Sequence, residues 1–238
     1  MSGQRPGRIL GLIPAKAGST RLPSKNILPL AGKSLLERTI VSARKSGLCD
    51  RIFVSTENDA VAAIARAAGA EPPFMRPEHL ARDPAGVVDV ALHALDEWES
   101  RSERFDTLMI LLPTSPFRRG EDIAGALETY LRLRVDFLMS VVREVHSPLY
   151  SLVLEHERLL PLHPEWLNLV GVPRPALVRC NGAVTIVDVA RFRQERNYYG
   201  YPLGAYEMPL ERSLDIDTPE EFAYAEFLAQ RHPEWLDD

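Results

Sequence analysis

Cysteine is nearly absent from this 238-residue chain: only Cys49 and Cys180 occur, too few for a disulfide framework. Neither has a second Cys or a His at metal-binding spacing, so both are expected to be reduced thiols. The six histidines, His79, His93, His146, His156, His163 and His232, form no zinc pattern. Long hydrophobic runs are missing as well. None approaches the roughly 18 apolar residues that a membrane helix requires, so no membrane partner is expected. Positive charge is not in excess either; the formal net charge of −5 argues against non-specific nucleic-acid binding. The basic start from Arg5 to Arg8 is followed by no apolar signal region, because Pro14 and Lys16 interrupt it, and a cytoplasmic protein is expected. Two phosphate signatures are also lacking. Ala31-Gly32-Lys33-Ser34 imitates the end of a Walker A loop, but Ile27 stands where the required earlier glycine would be, and no G-x-G-x-x-G follows the first apolar run.

What is present is a regular alternation. Short apolar runs predict strands near Ile9 to Ile13, Arg51 to Ser55, Thr107 to Leu112, Phe137 to Val142 and Ala183 to Val187. Between them lie helix patterns with start and stop signals. Ser34 and Glu37 make a capping box ahead of a helix that Gly47 stops; Thr56 precedes a second, from Ala60 to Ala68, that Gly69 ends; Val87 to Glu99 and Glu121 to Arg134 follow. This β-α-β order predicts one α/β domain over residues 1–238 with a mostly parallel sheet, whose ligands bind beyond the carboxyl ends of the strands. From residue 146 to 178 neither period fits, and five prolines interrupt the stretch. It is expected to be an excursion from the sheet, since structureless loops longer than about 15 residues are uncommon unless functional.

Two segments carry chemistry. Directly after the first strand, Lys16, Arg21 and Lys25 fall within ten residues of one another beside the small-residue turn Ala17-Gly18-Ser19, where backbone amides can approach an anion. This suits a nucleoside triphosphate. Near the other end, Asp215 and Asp217 alternate with Leu214 and Ile216, which presents two carboxylates to one side of an extended segment. Such a pair suits Mg²⁺ or another divalent cation, completed by phosphate oxygens and water, although acidic residues at a helix entrance also favour the helix dipole. Thr218, Pro219 and Glu221 start the following helix sharply.

The opening Ile13-Pro14-Ala15-Lys16, closed by Lys25-Asn26, resembles the N-terminal signature of the acylneuraminate cytidylyltransferases, the synthetases of CMP-sialic and related CMP-nonulosonic acids. The run Ser213-Leu214-Asp215-Ile216-Asp217-Thr218, shortly after Tyr206-Glu207-Met208-Pro209, resembles that family's metal site. Leu112-Pro113-Thr114-Ser115-Pro116-Phe117-Arg118 and Arg179-Cys180-Asn181-Gly182-Ala183 resemble its sugar-site segments, and the stretch from Arg76 to Asp83 resembles its cytosine-recognition segment. The resemblance runs from residue 8 to about residue 227. It implies a Rossmann-like nucleotidyltransferase fold and transfer of CMP from CTP to a nonulosonic acid, assisted by Mg²⁺. It further implies a homodimer in which the excursion reaches towards the partner's site.

By the same resemblance Ala15, Lys16, Ser19, Lys25, Asn26, Arg76 and Ala85 would bind the nucleotide, with Lys16, Lys25, Asp215 and Asp217 carrying the catalysis. Leu112, Thr114, Ser115, Arg174, Arg179 and Asn181 would bind the sugar; Arg179 and Asn181 offer a cation for a carboxylate and an amide for hydroxyl or acyl groups. Three departures stand out: Lys16 where the family usually has Arg, Leu112 where it usually has Gln, and no hydroxylated residue at Gly86 or Val87. Leu112 puts the usual acceptor in question, so a related nucleotidyltransferase with another nucleotide, or with a sugar-phosphate or phosphonate acceptor, stays open. A non-catalytic nucleotide sensor would not require the metal carboxylates.

Overall fold

The structure is a computed structural model that describes residues 6–70, 72–169 and 171–236. Arg5 of the basic start and Val170 of the excursion lie outside the described residues. In chain order the strands are β1 (Ile9–Pro14), β2 (Pro29–Leu30), β3 (Lys33–Ser34), β4 (Arg51–Ser55), β5 (Thr107–Ile110), β6 (Phe137–Arg143), β7 (Leu152–Glu155), β8 (Arg158–Pro161), β9 (Val178–Asp188) and β10 (Leu203–Glu207). The helices are α1 (Leu35–Ser46), α2 (Asp59–Ala67), α3 (Val87–Ser100), α4 (Gly120–Leu133), α5 (Pro164–Leu167), α6 (Val189–Glu195) and α7 (Pro219–Arg231). None of the described helices is long and apolar enough to cross a membrane.

The central sheet has the order β10-β6-β9-β5-β1-β4, and every pairing is parallel except those of β9, which runs against both β5 and β6. Alternation along β1 explains the two covered faces. Ile9 and Ile13 pack with Leu36, Ile40, Val61 and Ile123 of α1, α2 and α4. Leu10 and Leu12 pack on the other face with Phe53, Leu95, Trp98 and Phe192, under α3 and α6. Strands buried on both sides read as continuous apolar runs, as β1 does. At Gly11 a side chain has no room: an added Cβ would lie 2.8 Å from the Cys49 sulfur. That burial, with Asp50 beside it, pushes the Cys49 thiol up to about 12, which makes it an inert filler.

The helix signals operate as local chemistry dictates. Ser34 Oγ accepts from the Glu37 N–H while Glu37 accepts from the Ser34 N–H, and Gly47 ends α1 in the left-handed region at φ 66°. Each such cap is worth about 1 kcal/mol. The cap of α2 is Asn58 rather than the earlier Thr56, because the Asn58 side chain accepts from both Ala60 and Val61 N–H groups. Three strand expectations need correction. β5 stops at Ile110, two residues early, before the chain turns at Pro113; β9 begins at Val178, five residues earlier than its apolar run, and is reversed; and, besides the two small hairpins β2-β3 and β7-β8, the central sheet gains a strand outside the expected five, β10. Its sequence, Leu-Gly-Ala-Tyr-Glu, offers a weak apolar signal because it forms a sheet edge.

Two features place the site. The register that sets Pro14 opposite Ser55 sends the loops after β1 and β4 out side by side at the carboxyl end of the sheet. A third apolar cluster then seats α7, through Ala225 and Ala229, against Leu22, Leu30, Leu35, Phe117 and Ile216. Burial of Ile216 there orients its neighbours, and Asp215 and Asp217 both line the opening.

Candidate active site

A cleft of about 360 Å³ opens over the carboxyl ends of β1, β4 and β5. Of the residues expected to act, it brings together Lys16, Lys25, Asn26, Arg76, Ala85, Leu112, Thr114, Asp215 and Asp217. Leu80, Val87 and Val90 add an apolar wall. Leu80 belongs to the stretch that resembles a cytosine-recognition segment and Val87 to the departures noted in the sequence, while Val90 carried no signal beyond its place in α3.

The loop after β1 is tied down. Asn26, itself buried, donates from Nδ2 to the Lys16 carbonyl at 2.8 Å, and Glu57 accepts the Ala17 N–H at 2.7 Å. Asn26 is therefore a tether as well as a lining residue. The Ala17 amide is committed to Glu57, which corrects the expectation that it is open to an anion. Ala15 is fully buried and donates its N–H to the Ser55 carbonyl, and Ser19 is half-buried on the loop outside the lining of the cleft.

Arg76 is buried at the cleft wall. Its Nε donates to Ser55 Oγ at 3.0 Å and one terminal nitrogen to the Ser55 carbonyl at 2.5 Å, while Glu57 lies 4.0 Å from the other. Burial pulls its pKa down and the Glu57 charge opposes that. Its fork is anchored on Ser55 and faces Glu57, a geometry lysine cannot reproduce.

The two aspartates sit in opposite environments. Burial pushes the Asp215 carboxyl up, with a hydrogen bond from Thr114 acting against it and the charge of Asp217 adding to it. Its Oδ1 is buried without a hydrogen-bond partner. Asp217 is also raised by partial burial, but Lys25 on Oδ1 and Arg21 on Oδ2, each at 2.6 Å, outweigh that and hold it below the ordinary aspartate range. The segment is fixed at both ends: Ile216 N–H donates to the Thr114 carbonyl at 2.9 Å, and Glu221 accepts from the Asp217 and Thr218 N–H groups. An orphaned buried carboxylate oxygen next to a second carboxylate fits a hard divalent cation, which seeks oxygen ligands and needs only one or two from protein. Among the described residues no cluster of three or more metal-ligating side chains occurs, so phosphate oxygens and water would have to complete the shell.

The remaining expected residues lie elsewhere. Ser115 is buried and donates to the Asn181 carbonyl at 3.3 Å. Asn181, fully buried, accepts from Ser140 Oγ and the Ala183 N–H and donates to Ser213 Oγ, so its amide is spent inside the protein rather than offered to a sugar. It anchors β9 to the turn that leads into Asp215. Arg179 is exposed, 3.7 Å from Glu144, and Arg174 is exposed over the Tyr150 ring at 4.8 Å. The structure does not bring either arginine to the cleft lining. Arg118, at the end of the stretch that resembles a sugar-site segment, is buried and donates to the Leu112 and Ala183 carbonyls at 3.0 and 2.8 Å, bracing the cleft floor, a role the sequence did not signal.

Comparison with known proteins settles the family. A model of the family described as Cytidylyltransferase matches residues 10–236. The chain belongs to the cytidylyltransferases. It is 33% identical to the CMP-N,N'-diacetyllegionaminic acid synthase of Legionella pneumophila over 232 residues, covering 96% of this chain and 99% of that protein. It is 31% identical to the N-acylneuraminate cytidylyltransferase of Escherichia coli O18:K1:H7 over 94% of this chain; there it spans about half of the relative, 52% of its length. Among solved structures, a CMP:2-keto-3-deoxy-manno-octonic acid synthetase complexed with CTP superposes with a TM-score of 0.68 at 15% identity, covering 95% of this chain and 99% of the other. That likeness shows the shared fold of this cytidylyltransferase, a Rossmann-like nucleotidyltransferase fold.

Proposed function

We propose that this cytidylyltransferase transfers CMP from CTP to the anomeric hydroxyl of a nonulosonic acid, releasing pyrophosphate. The observation that carries the reading is the convergence in one cleft of Lys16 and Lys25, the anchored Arg76, and the Asp215/Asp217 pair with its orphaned buried oxygen. A triphosphate carrying a cation requires both signs of charge within reach of one another.

Lys16 and Lys25 hold the triphosphate as point charges, and Arg76, with Ala85 beside it, faces the base. Lys25 is presently paired with Asp217, so it passes from carboxylate to phosphate when the nucleotide enters. Asp215 and Asp217 would hold Mg²⁺ or a similar cation, which when bound neutralises charge developing on the phosphates. The sugar oxygen attacks the α-phosphorus as the bond to pyrophosphate breaks, and positioning with electrostatics supplies most of the rate. Leu80, Val87, Val90 and Leu112 give the cleft an apolar lining that excludes water, which strengthens those charges.

The acceptor class follows from Leu112 and from the relatives. Leucine in the cleft leaves a polar substituent unpaired but accepts a methyl or deoxy position, as found in legionaminate-type sugars. The near full-length match to a legionaminic acid synthase supports that choice. Residues 152–162 carry Leu152, Val153, Leu154, Leu159, Leu160 and Leu162 exposed, with Leu154 at 70%. A second copy of the chain covers this apolar hairpin, making a homodimer, since patches of this kind on lone soluble proteins are rare. The free thiols Cys49 and Cys180 support a cytoplasmic enzyme. Pyrophosphate release tests the reading: it should require CTP, a nonulosonic acid and a divalent cation together, and release with CTP alone or without the cation would overturn it.

A further inference from the structure

Glu57 stands immediately beyond β4 and belongs to no recognised segment of the sequence. Its Oε1 accepts the Ala17 N–H at 2.7 Å, while Asn26 donates to the Lys16 carbonyl at 2.8 Å. That carbonyl and that N–H are two ends of a single peptide group. The peptide joining residues 16 and 17 is therefore clamped from both sides, from the β4 loop by Glu57 and from the turn after the loop by Asn26. With its backbone locked, Lys16 is held in the lining of the cleft.

The other carboxylate oxygen of Glu57 does a different job. Oε2 is buried without a hydrogen-bond partner and lies 4.0 Å from the Arg76 guanidinium, whose remaining nitrogens are anchored on Ser55. A buried acceptor without a partner costs stability, and glutamine would clamp the peptide without carrying a charge there. One side chain thus touches the phosphate loop and faces the guanidinium at the opposite end of the nucleotide subsite.

We propose that Glu57 is a positioning residue for the nucleotide: by clamping the Lys16–Ala17 peptide and facing Arg76, it fixes the separation between the triphosphate and base ends of the subsite. This rests on the reading of the cleft as a CTP site. Glu57 does not line the cleft, and it acts only through Lys16 and Arg76. Small misplacements of positioning groups are costly because both ends of one ligand must be met at once for the reacting atoms to align.

The test is calorimetric titration of CTP into the whole protein, with KM values for CTP and acceptor measured separately. Glu57→Ala is expected to weaken CTP binding at least about tenfold, the scale of one lost hydrogen bond to a charged group, while acceptor KM moves less than about twofold. Where the alanine variant lacks a cooperative melting transition, Glu57→Met supplies the same loss of acceptors with the bulk retained. Glu57→Gln keeps the clamp on the Ala17 N–H and should restore CTP binding to within about threefold of wild type. Unchanged CTP binding in Glu57→Ala, a rise of both KM values together, or a glutamine variant no better than alanine would each overturn the assignment. A wild-type protein that consumes no CTP with any nonulosonic acid instead overturns the reading beneath it, whatever the variants do.

Discussion

On the nucleotide side of the cleft the polar groups are tethered inside the chain: Asn26 and Glu57 hold the Lys16–Ala17 peptide, Ser55 holds Arg76, and Glu221 holds the backbone at Asp217. The acceptor side is built otherwise. The arginines expected there, Arg174 and Arg179, lie outside the cleft lining, exposed at the excursion and the start of β9, near a hairpin that carries exposed apolar residues. The contrast teaches that one chain completes the subsite for the invariant substrate. For the variable one, the proposed homodimer would have a second copy complete the subsite.

The contrast breaks first at the carboxylates. Asp215→Ala and Asp217→Ala should each lower kcat at least about 100-fold, the scale for removing a key electrostatic stabiliser, while circular dichroism shows the fold retained. Near wild-type turnover in both folded variants would remove the cation site. The second break is at the hairpin. If the proposed dimer serves the acceptor side alone, Leu154→Asp should convert a dimer to a monomer in sedimentation experiments and raise the acceptor KM about tenfold, leaving CTP binding within about twofold. Loss of CTP binding in the monomer would erase the distinction between the two sides.

A third prediction sharpens specificity. Leu112→Gln should shift the ratio of kcat/KM for N-acetylneuraminate against a deoxy nonulosonate about tenfold towards N-acetylneuraminate, as expected when an unpaired polar group gains a partner worth about 1 to 3 kcal/mol. An unchanged ratio would reduce Leu112 to packing against Gly182, whose added Cβ would lie 3.2 Å from it. The smallest effect separates the aspartates in the cation-free protein. Asp215, with its pKa raised on folding, loses its favourable contribution as pH climbs above the ordinary aspartate value, so Asp215→Asn should melt higher at neutral pH and converge with wild type in acid. Asp217, with its pKa lowered, contributes stability that is present above the ordinary value and lost as pH falls through the lowered one. Asp217→Asn should therefore melt lower at neutral pH, with the gap closing in acid.

The amino-acid sequence made some of this legible and left some hidden, for identifiable reasons. Capping boxes at Ser34 and Thr218, the apolar run of β1, and the alternation of Asp215 and Asp217 with Ile216 act locally, and the structure keeps them. The reversal of β9 and the edge strand β10 depend on pairing partners distant in the chain, which no local pattern encodes. Asn181 illustrates the limit at the site. Its residue type suits a sugar contact, but Ser140, Ala183 and Ser213, brought together only by folding, use up its hydrogen bonds. Glu57 and the bracing role of Arg118 were hidden for the same reason, since Glu57 meets the backbone of Ala17 and Arg118 that of Ala183 in β9, both distant in the chain.

The most direct test of the central claim follows one atom. The protein is incubated with CTP, a divalent cation and a legionaminate-type acid carrying ¹⁸O at the anomeric hydroxyl, and the products are weighed by mass spectrometry. The account predicts a CMP-sugar that retains the ¹⁸O, with unlabelled pyrophosphate, because the sugar oxygen attacks the α-phosphorus. Absence of a CMP-sugar across a panel of nonulosonic acids, or a product in which the label has been lost, would contradict it.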